Sequence, residues 1–483
     1  MIFNSVAFFL FFIAFFFIYW LVFKQSVKLQ NIFLLTGCYV FYAWWDWRFL
    51  ALLAGSSLLT YYLGITIAKT QNEKKRSWLL YAGLLQGIGL LVFFKYYNFF
   101  VTSFTEAFSL LNIKLHLQTL QLILPLGISF YTFRSISYLL DINNEEIEPT
   151  TNWVVFFSYV AFFPSLISGP IDRARLLIPQ LEKKRAFNYN QAADGMRRIL
   201  WGMFKKVVVA DNIAIATDQI FDGYASMPAS SLVLGAIFYA IQLYADFSGY
   251  SEMAMGFAQL LGFKISKNFN YPFFAQNIAQ FWQRWHISLT GWMTEYVFTP
   301  LSFIFRRSGK KGVIAAIMIN FLIVGLWHGS NWTFIWFGFM HGLYFIPLIL
   351  NGTINKTPDI ATVKLLPSFT EFRKIVATFA LVAATIIIFR CGSVTQTLQY
   401  YRHIFSASII SMPVFTLNMS TIAGIIFAVV LIITEWLGRG QDYAIAGVST
   451  RFSKPVRWTI YYALALAIFL FAGKEQQFIY LQF

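Results

Sequence analysis

Long apolar runs separated by short basic knots set the rhythm of this chain. About 20 mostly apolar residues suffice to cross a bilayer as a helix. Runs of that kind fall at residues 3–23, 30–45, 48–68, 78–100, 119–140, 152–169, 231–262, 311–328, 333–350, 374–390, 414–437 and 457–473. The pattern predicts an all-α polytopic membrane protein with about 11 to 13 transmembrane or re-entrant helices. Two stretches interrupt it. Asn188 to Asp211 interleaves Arg197, Arg198, Lys205 and Lys206 with Met196, Ile199, Leu200, Trp201 and Phe204, at steps that predict an amphipathic helix lying in the headgroup layer or re-entering from it. Asn277 to Tyr296 carries Gln280, Trp282, Gln283, Arg284, Trp285 and His286. It is too polar to face lipid and too aromatic for an ordinary loop.

Composition agrees with a lipid-facing exterior. Of 483 residues, 58% are hydrophobic, 20% aromatic and only 12% charged, too few charges to cover a water-soluble globule of this size. The formal charge of +16 does not point to nucleic acid, because the cations sit in knots between apolar runs and form no continuous basic face. Lys24 and Lys28, then Lys69, Lys74, Lys75 and Arg76, then Arg173, Arg175, Lys183, Lys184 and Arg185, then Arg306, Arg307, Lys310 and Lys311 mark loops expected on the cytoplasmic side. Met1 to Phe23 has no basic start and no small-residue cleavage site, and reads as a retained span rather than a removed signal peptide. With no internal repeat and no polar linker, residues 1–483 read as one integral membrane domain whose motifs concentrate at about 120–350.

Ionisable groups inside apolar runs are costly and so mark function or buried pairing. One polar window holds Gln242, Tyr244, Asp246, Ser248, Tyr250 and Glu252. At about 100° per residue, Asp246 and Tyr250 share a face, as do Ser248 and Glu252. This window is either interhelical glue or, at Asp246 above all, the partner of an imidazole or a cation. The second concentration is Gly325-Leu326-Trp327-His328-Gly329-Ser330-Asn331-Trp332. Gly325 and Gly329, like Gly338 and Gly342, are spaced to let helix backbones approach closely. A lone buried imidazole between aromatic walls is held in its neutral form, the form a general base needs.

His286 reads equally as a second catalytic group and as an interfacial residue. His341, 13 positions after His328, would lie near the opposite face of a continuous helix and reads as packing. His116 and His403 read as surface residues. Cys38 and Cys391 lack a partner at ligand spacing and read as small buried side chains. No zinc-type cluster and no phosphate-cradling glycine loop appears.

Several of these stretches together resemble the membrane-bound O-acyltransferase family, and within it the bacterial branch of alginate O-acetyltransferase membrane subunits. They are Arg284-Trp285-His286-Ile287-Ser288-Leu289, Leu326 to Trp332 and Phe337-Gly338-Phe339-Met340-His341-Gly342. Weaker matches run in order along the chain: Phe41 to Trp45 with Arg48-Phe49-Leu50, Lys95 to Phe100, Leu124 to Phe133, Phe163-Pro164 with Ser168-Gly169-Pro170-Ile171, Gly202 with Lys205-Lys206, Asp246 to Ser251, and Phe478 to Phe483. The chain departs from the family pattern at Arg134, Arg173 and Arg175.

The resemblance implies helices arranged around a central funnel or tunnel, and acyl transfer from a thioester to a hydroxyl. It implies a multi-pass protein of the bacterial cytoplasmic (inner) membrane that holds no bound cofactor. It places the family's invariant histidine at His328 and its second histidine at His286. Substrate binding is expected from Asp246, Ser248, Trp282, Arg284, Trp327 and Asn331. The expected donor is acetyl-CoA or another acyl thioester. The expected acceptor is an extracytoplasmic polysaccharide, reached through a periplasmic partner resembling an SGNH hydrolase. Transfer of D-alanine from a carrier protein to teichoic acid and O-acetylation of peptidoglycan are the alternatives, with a transporter as the reading from another class.

Overall fold

The computed structural model describes residues 1–354, 365–472, 476, 478 and 479. Among the described residues, regular structure is entirely helical. Seven helices among these residues are long and apolar enough to cross a membrane: Arg48–Lys69, Glu73–Leu110, Ala229–Leu260, Arg306–His328, Trp332–Leu350, Phe369–Arg390 and Met419–Leu437. The expected spans at 3–23, 30–45 and 457–473 form the shorter helices Val6–Leu21, Val27–Ala43 and Lys454–Leu470. Sixteen or seventeen residues rise only about 25 Å against a hydrocarbon core of about 30 Å. The chain is a multi-pass membrane protein. In the terminal motif, Tyr480 to Phe483 lie outside the described residues.

Packing divides the chain into two compact units, Met1–Gly195 with Phe257–Ser266, and Met196–Gly256 with Lys267–Phe483. In the first unit two expected spans are not continuous. The run at 119–140 becomes helical only at Ile128–Asn143, because the chain turns at Gly127 with φ of 69° and a Cβ there would meet Leu166 O at 2.5 Å. The run at 152–169 breaks into Trp153–Val160 and the single turn Phe163–Leu166, which starts with Pro164 near its N-terminus.

A helix that stops inside protein strands its last carbonyls, and Arg134 serves them. Its guanidinium, fully buried, donates to Tyr159 O at 3.2 Å, Val160 O at 3.1 Å and Ser165 O at 3.0 Å. Asp172 completes the knot by accepting from Ser165 Oγ at 3.2 Å and from the Ser266 N–H at 2.8 Å. Burial pushes the Asp172 carboxyl above its ordinary value, and the Arg134 charge opposes that shift. Arg185, expected in a cytoplasmic loop, is likewise turned inward, donating to Tyr19 Oη and Asn31 Oδ1, each at 2.6 Å.

In the second unit the amphipathic stretch forms Tyr189–Met203, a π-helical turn Phe204–Ala210 and Asp211–Asp222, the first helix entering from the other unit. Within this headgroup or re-entrant stretch, the cations Arg198, Lys205 and Lys206 are buried in protein and do not face outward. Arg198 pairs with Glu252 at 3.0 Å, and Lys206 pairs with both Asp211 and Asp246 at 2.7 Å. Lys205 lies 4.0 Å from Glu435. An amphipathic period shows that one face is charged, but it does not say whether lipid headgroups or buried carboxylates neutralise that face.

The close approach of Gly202 and Gly249 makes this pairing reachable. A Cβ on either glycine would lie 2.5 to 2.7 Å from the other's carbonyl oxygen. Helices Gly309–His328 and Trp332–Leu350 form a tight hairpin of the kind the small-residue spacing predicts. A Cβ at Gly325 would strike Phe334 O, and one at Gly338 would strike Phe321 O.

Candidate active site

His328 is the last residue of its helix. The chain then runs extended through Gly329, and Asn331 caps the next helix by accepting from the Thr333 N–H at 3.0 Å. Because the helix breaks here, the positions that follow fold back beside those that precede it. Phe337 and His341, one turn apart on the returning helix, face the same small cavity as His328. Helix Phe369–Arg390 adds Val382, Ile386 and Phe389 as one stripe, and the 277–296 tract adds Trp282 and Trp285. The cavity is about 10 Å³, room for about one water. Its walls are almost wholly aromatic and aliphatic, and a low-dielectric lining of this kind strengthens any charge or dipole inside it.

The rings of Trp327 at 5.0 Å, Phe389 at 5.1 Å and Phe337 at 5.8 Å between centroids pack around His328. His341 packs on Phe337 at 4.5 Å, and its Nδ1 accepts the indole N–H of Trp282 at 3.2 Å. The reading of His341 as packing on the far side is therefore corrected. A continuous helix would have placed it there, and the Gly329-Ser330-Asn331 break, a turn signal followed by an N-cap residue, reverses the geometry.

His286 sits at the N-terminus of Ile287–Met293 with φ of 45° and ψ of 51°, an uncommon left-handed conformation for a bulky residue. The backbone on both sides fixes it. The Ile287 N–H donates to Asn268 O at 2.8 Å, and the Asn270 N–H donates to Arg284 O at 3.0 Å. Its ring is fully buried, 4.7 Å from Phe247 and 5.4 Å from Trp327. Trp327 thus touches both histidines, while the cavity wall itself is shared by His328 and His341.

The remaining expected residues divide. Trp282 lines the cavity and orients His341. Arg284 does not line it: its guanidinium donates to Asn270 O at 3.2 Å, on the flank where residues 284–288 pair with 268–270, and its neighbour Trp285, not among the expected residues, takes the cavity wall. Asn331 is committed to its cap and to Gly392 O, to which its amide donates at 2.9 Å. Asp246 does not line this cavity: it pairs with Lys206, the cation partner that its polar window allowed, and accepts the Ile479 N–H at 2.9 Å. Ser248 is buried as well, and it does not line the cavity either.

Behind Trp285 lies a second small cavity with Lys205, Glu252, Lys267 and Glu435 in its walls. Tyr244 and Phe269, which border it, meet Trp285 at 6.2 Å (tilted) and 5.1 Å (edge-on) between centroids, and Tyr244 Oη donates to Glu435 at 2.8 Å. Burial draws the Lys205 ammonium below its ordinary value, opposed by the Glu252 and Glu435 charges. These polar side chains brace the aromatic wall from behind.

The family model described as MBOAT, membrane-bound O-acyltransferase family, matches residues 144–357, the stretch that holds His286, His328 and His341. The chain belongs to this family and is a membrane O-acyltransferase. It is 36% identical over 409 residues to the probable alginate O-acetylase AlgI of Pseudomonas aeruginosa, covering 84% of this chain and 75% of the relative. It is 38% identical over 348 residues to the peptidoglycan O-acetyltransferase of Helicobacter pylori, with 66% and 64% covered. It is 30% identical over 322 residues to the teichoic acid D-alanyltransferase of Streptococcus thermophilus, with 60% and 75% covered.

Proposed function

We propose that this protein transfers an acetyl group from acetyl-CoA, taken up at the cytoplasmic face of a bacterial inner membrane, to a hydroxyl on the far side. The acceptor is an extracytoplasmic polysaccharide of the alginate kind, or a periplasmic partner resembling an SGNH hydrolase that passes the acetyl group to it. The observation that carries the reading is the aromatic cavity with His328 at a helix break in its wall. Transfer of acetyl groups by the alginate and peptidoglycan relatives supports the choice of acyl group. The basic knots on the expected cytoplasmic side would draw in the phosphates of the donor.

His328 acts as general base. It takes the proton of the acceptor hydroxyl while the oxygen lone pair forms a bond to the thioester carbonyl carbon. The tetrahedral intermediate collapses, the C–S bond breaks, and the thiolate takes the proton back from the imidazolium. No net proton is consumed. His286, outside the cavity wall, positions Trp327 and through it His328.

The test is release of free CoA thiol from acetyl-CoA by the purified protein in nanodiscs, with and without a periplasmic partner. We expect turnover in the wild type and a loss of at least about 100-fold in His328→Ala. Turnover only with a D-alanyl thioester on a carrier protein would replace acetyl transfer with D-alanyl transfer. Unchanged turnover in a folded His328→Ala protein would remove His328 from the chemistry.

A further inference from the structure

Acyl transfer needs a hydrogen-bond donor for the negative charge that grows on the carbonyl oxygen, and such a donor is often the largest single catalytic contribution. Asn331, the residue whose type suits that role, does not line the cavity; its amide donates to Gly392 O and its carbonyl caps its own helix. The cavity holds another candidate.

The Trp282 indole nitrogen can only donate, so the His341 Nδ1 that it meets at 3.2 Å must be an acceptor. A neutral imidazole with Nδ1 as acceptor carries its hydrogen on Nε2. His341 makes no other hydrogen bond among the described residues, it is buried, and it lines the cavity together with His328. Phe337 at 4.5 Å and Trp282 at 5.1 Å wall the ring in from two sides, so Nε2–H is a donor of fixed direction in a site with almost no other polar atom. Preorganised donors of this kind cost no reorganisation when charge appears.

We infer that His341 is the oxyanion donor of the acyl-transfer reaction and that Trp282 is the positioning residue that locks its tautomer, an inference that rests on the acetyltransferase reading above. As the acceptor oxygen bonds to the thioester carbon and its proton passes to His328, the carbonyl π electrons move onto oxygen, which accepts the His341 Nε2–H. Collapse returns that electron pair to the C=O bond, expels the thiolate, and leaves His341 with the proton it began with. The two imidazoles thus have opposite jobs. His328 must exchange a proton, and His341 must keep one.

The test compares wild type, His328→Ala, His341→Ala, His341→Gln and Trp282→Phe in the CoA-release assay, with CoA affinity and thermal unfolding measured on each. His341→Ala is expected to lose about 100-fold in kcat with KM for acetyl-CoA and CoA affinity unchanged. His341→Gln, whose amide still donates, is expected to recover at least about tenfold of that loss and to keep the wild-type pH profile. Trp282→Phe is expected to fall about tenfold in kcat. A His341→Gln protein no better than His341→Ala, or one that loses a limb of the pH profile, would overturn the donor role, as would a folded His341→Ala protein with wild-type kcat. If His341→Ala does not fold, His341→Gln and Trp282→Phe decide, each judged against the wild type: a Trp282→Phe protein with wild-type kcat, or a His341→Gln protein about 100-fold down, overturns the donor role. Wild-type turnover lost in His328→Ala but kept in His341→Ala sinks this inference alone. No wild-type turnover with acetyl-CoA, with or without a partner, sinks the parent reading and this inference with it.

Discussion

The indole of Trp327 meets the ring of His286 at a centroid distance of 5.4 Å and an angle of 80°. The same indole also meets His328, at 5.0 Å. The two histidines are therefore coupled through a ring, and only His328 shares the cavity wall. This predicts unequal losses. His286→Ala should lower kcat by roughly tenfold by loosening Trp327, whereas removal of a general base costs roughly 100-fold or more. His286→Phe, which refills the space, should recover part of the loss. Single-turnover rates on the three proteins check this, and equal losses for His286→Phe and His328→Ala would place His286 in the chemistry.

Asp246 is bound to Lys206 and to the Ile479 backbone, and both members of the ion pair are almost inaccessible to solvent. Removing one partner of a buried pair strands the other charge, at a cost of about 3 to 5 kcal/mol. Asp246→Ala should therefore lower thermal stability sharply in detergent. Asp246→Asn, which keeps an acceptor for the Ile479 N–H, should do less harm. Lys206 retains Asp211 at 2.7 Å in both, which places the cost at the lower end of that range. A variant with wild-type stability and lost turnover would instead return Asp246 to the substrate.

Hydrophobic period shows where apolar helices lie because burial in lipid constrains every side chain of a span. It therefore locates Arg48–Lys69, Ala229–Leu260 and the hairpin around Gly329 within a few residues. It misplaces 119–140 and 152–169, where apolar sequence continues but the backbone breaks at Gly127 and before Pro164. Breaks inside protein keep apolar side chains, so hydropathy does not register them. What reveals them is the pairing of Arg134 with stranded carbonyls, a contact between helices distant in sequence.

The same reasoning separates the site residues that were legible from those that were not. His328 stands out because an imidazole in an apolar run is expensive. His341 and Trp285 do not, since their role depends on the reversal at Gly329 to Asn331 and on which side of a short helix faces inward. Asp246 stands out for the same reason as His328, yet its partner is a lysine from another helix. Cost alone identifies a buried charge without saying what it serves.

Asn331 offers the sharpest separation of cap from catalyst. Its Oδ1 accepts the Thr333 N–H at 3.0 Å and its amide donates to Gly392 O at 2.9 Å, the geometry of an N-cap tied to the neighbouring helix end. Asn331→Asp keeps the acceptor and loses the donor, while Asn331→Ala loses both. If the residue is a cap, Asn331→Ala should cost about 1 kcal/mol of stability, and Asn331→Asp should stay close to wild type and retain kcat within about threefold. If the amide were an oxyanion donor, Asn331→Asp would be the worse enzyme of the two, because it would place a carboxylate where negative charge develops. Thermal unfolding and kcat measured side by side on the two variants decide between these orders. The cap geometry predicts that Asn331→Asp ranks above Asn331→Ala on both.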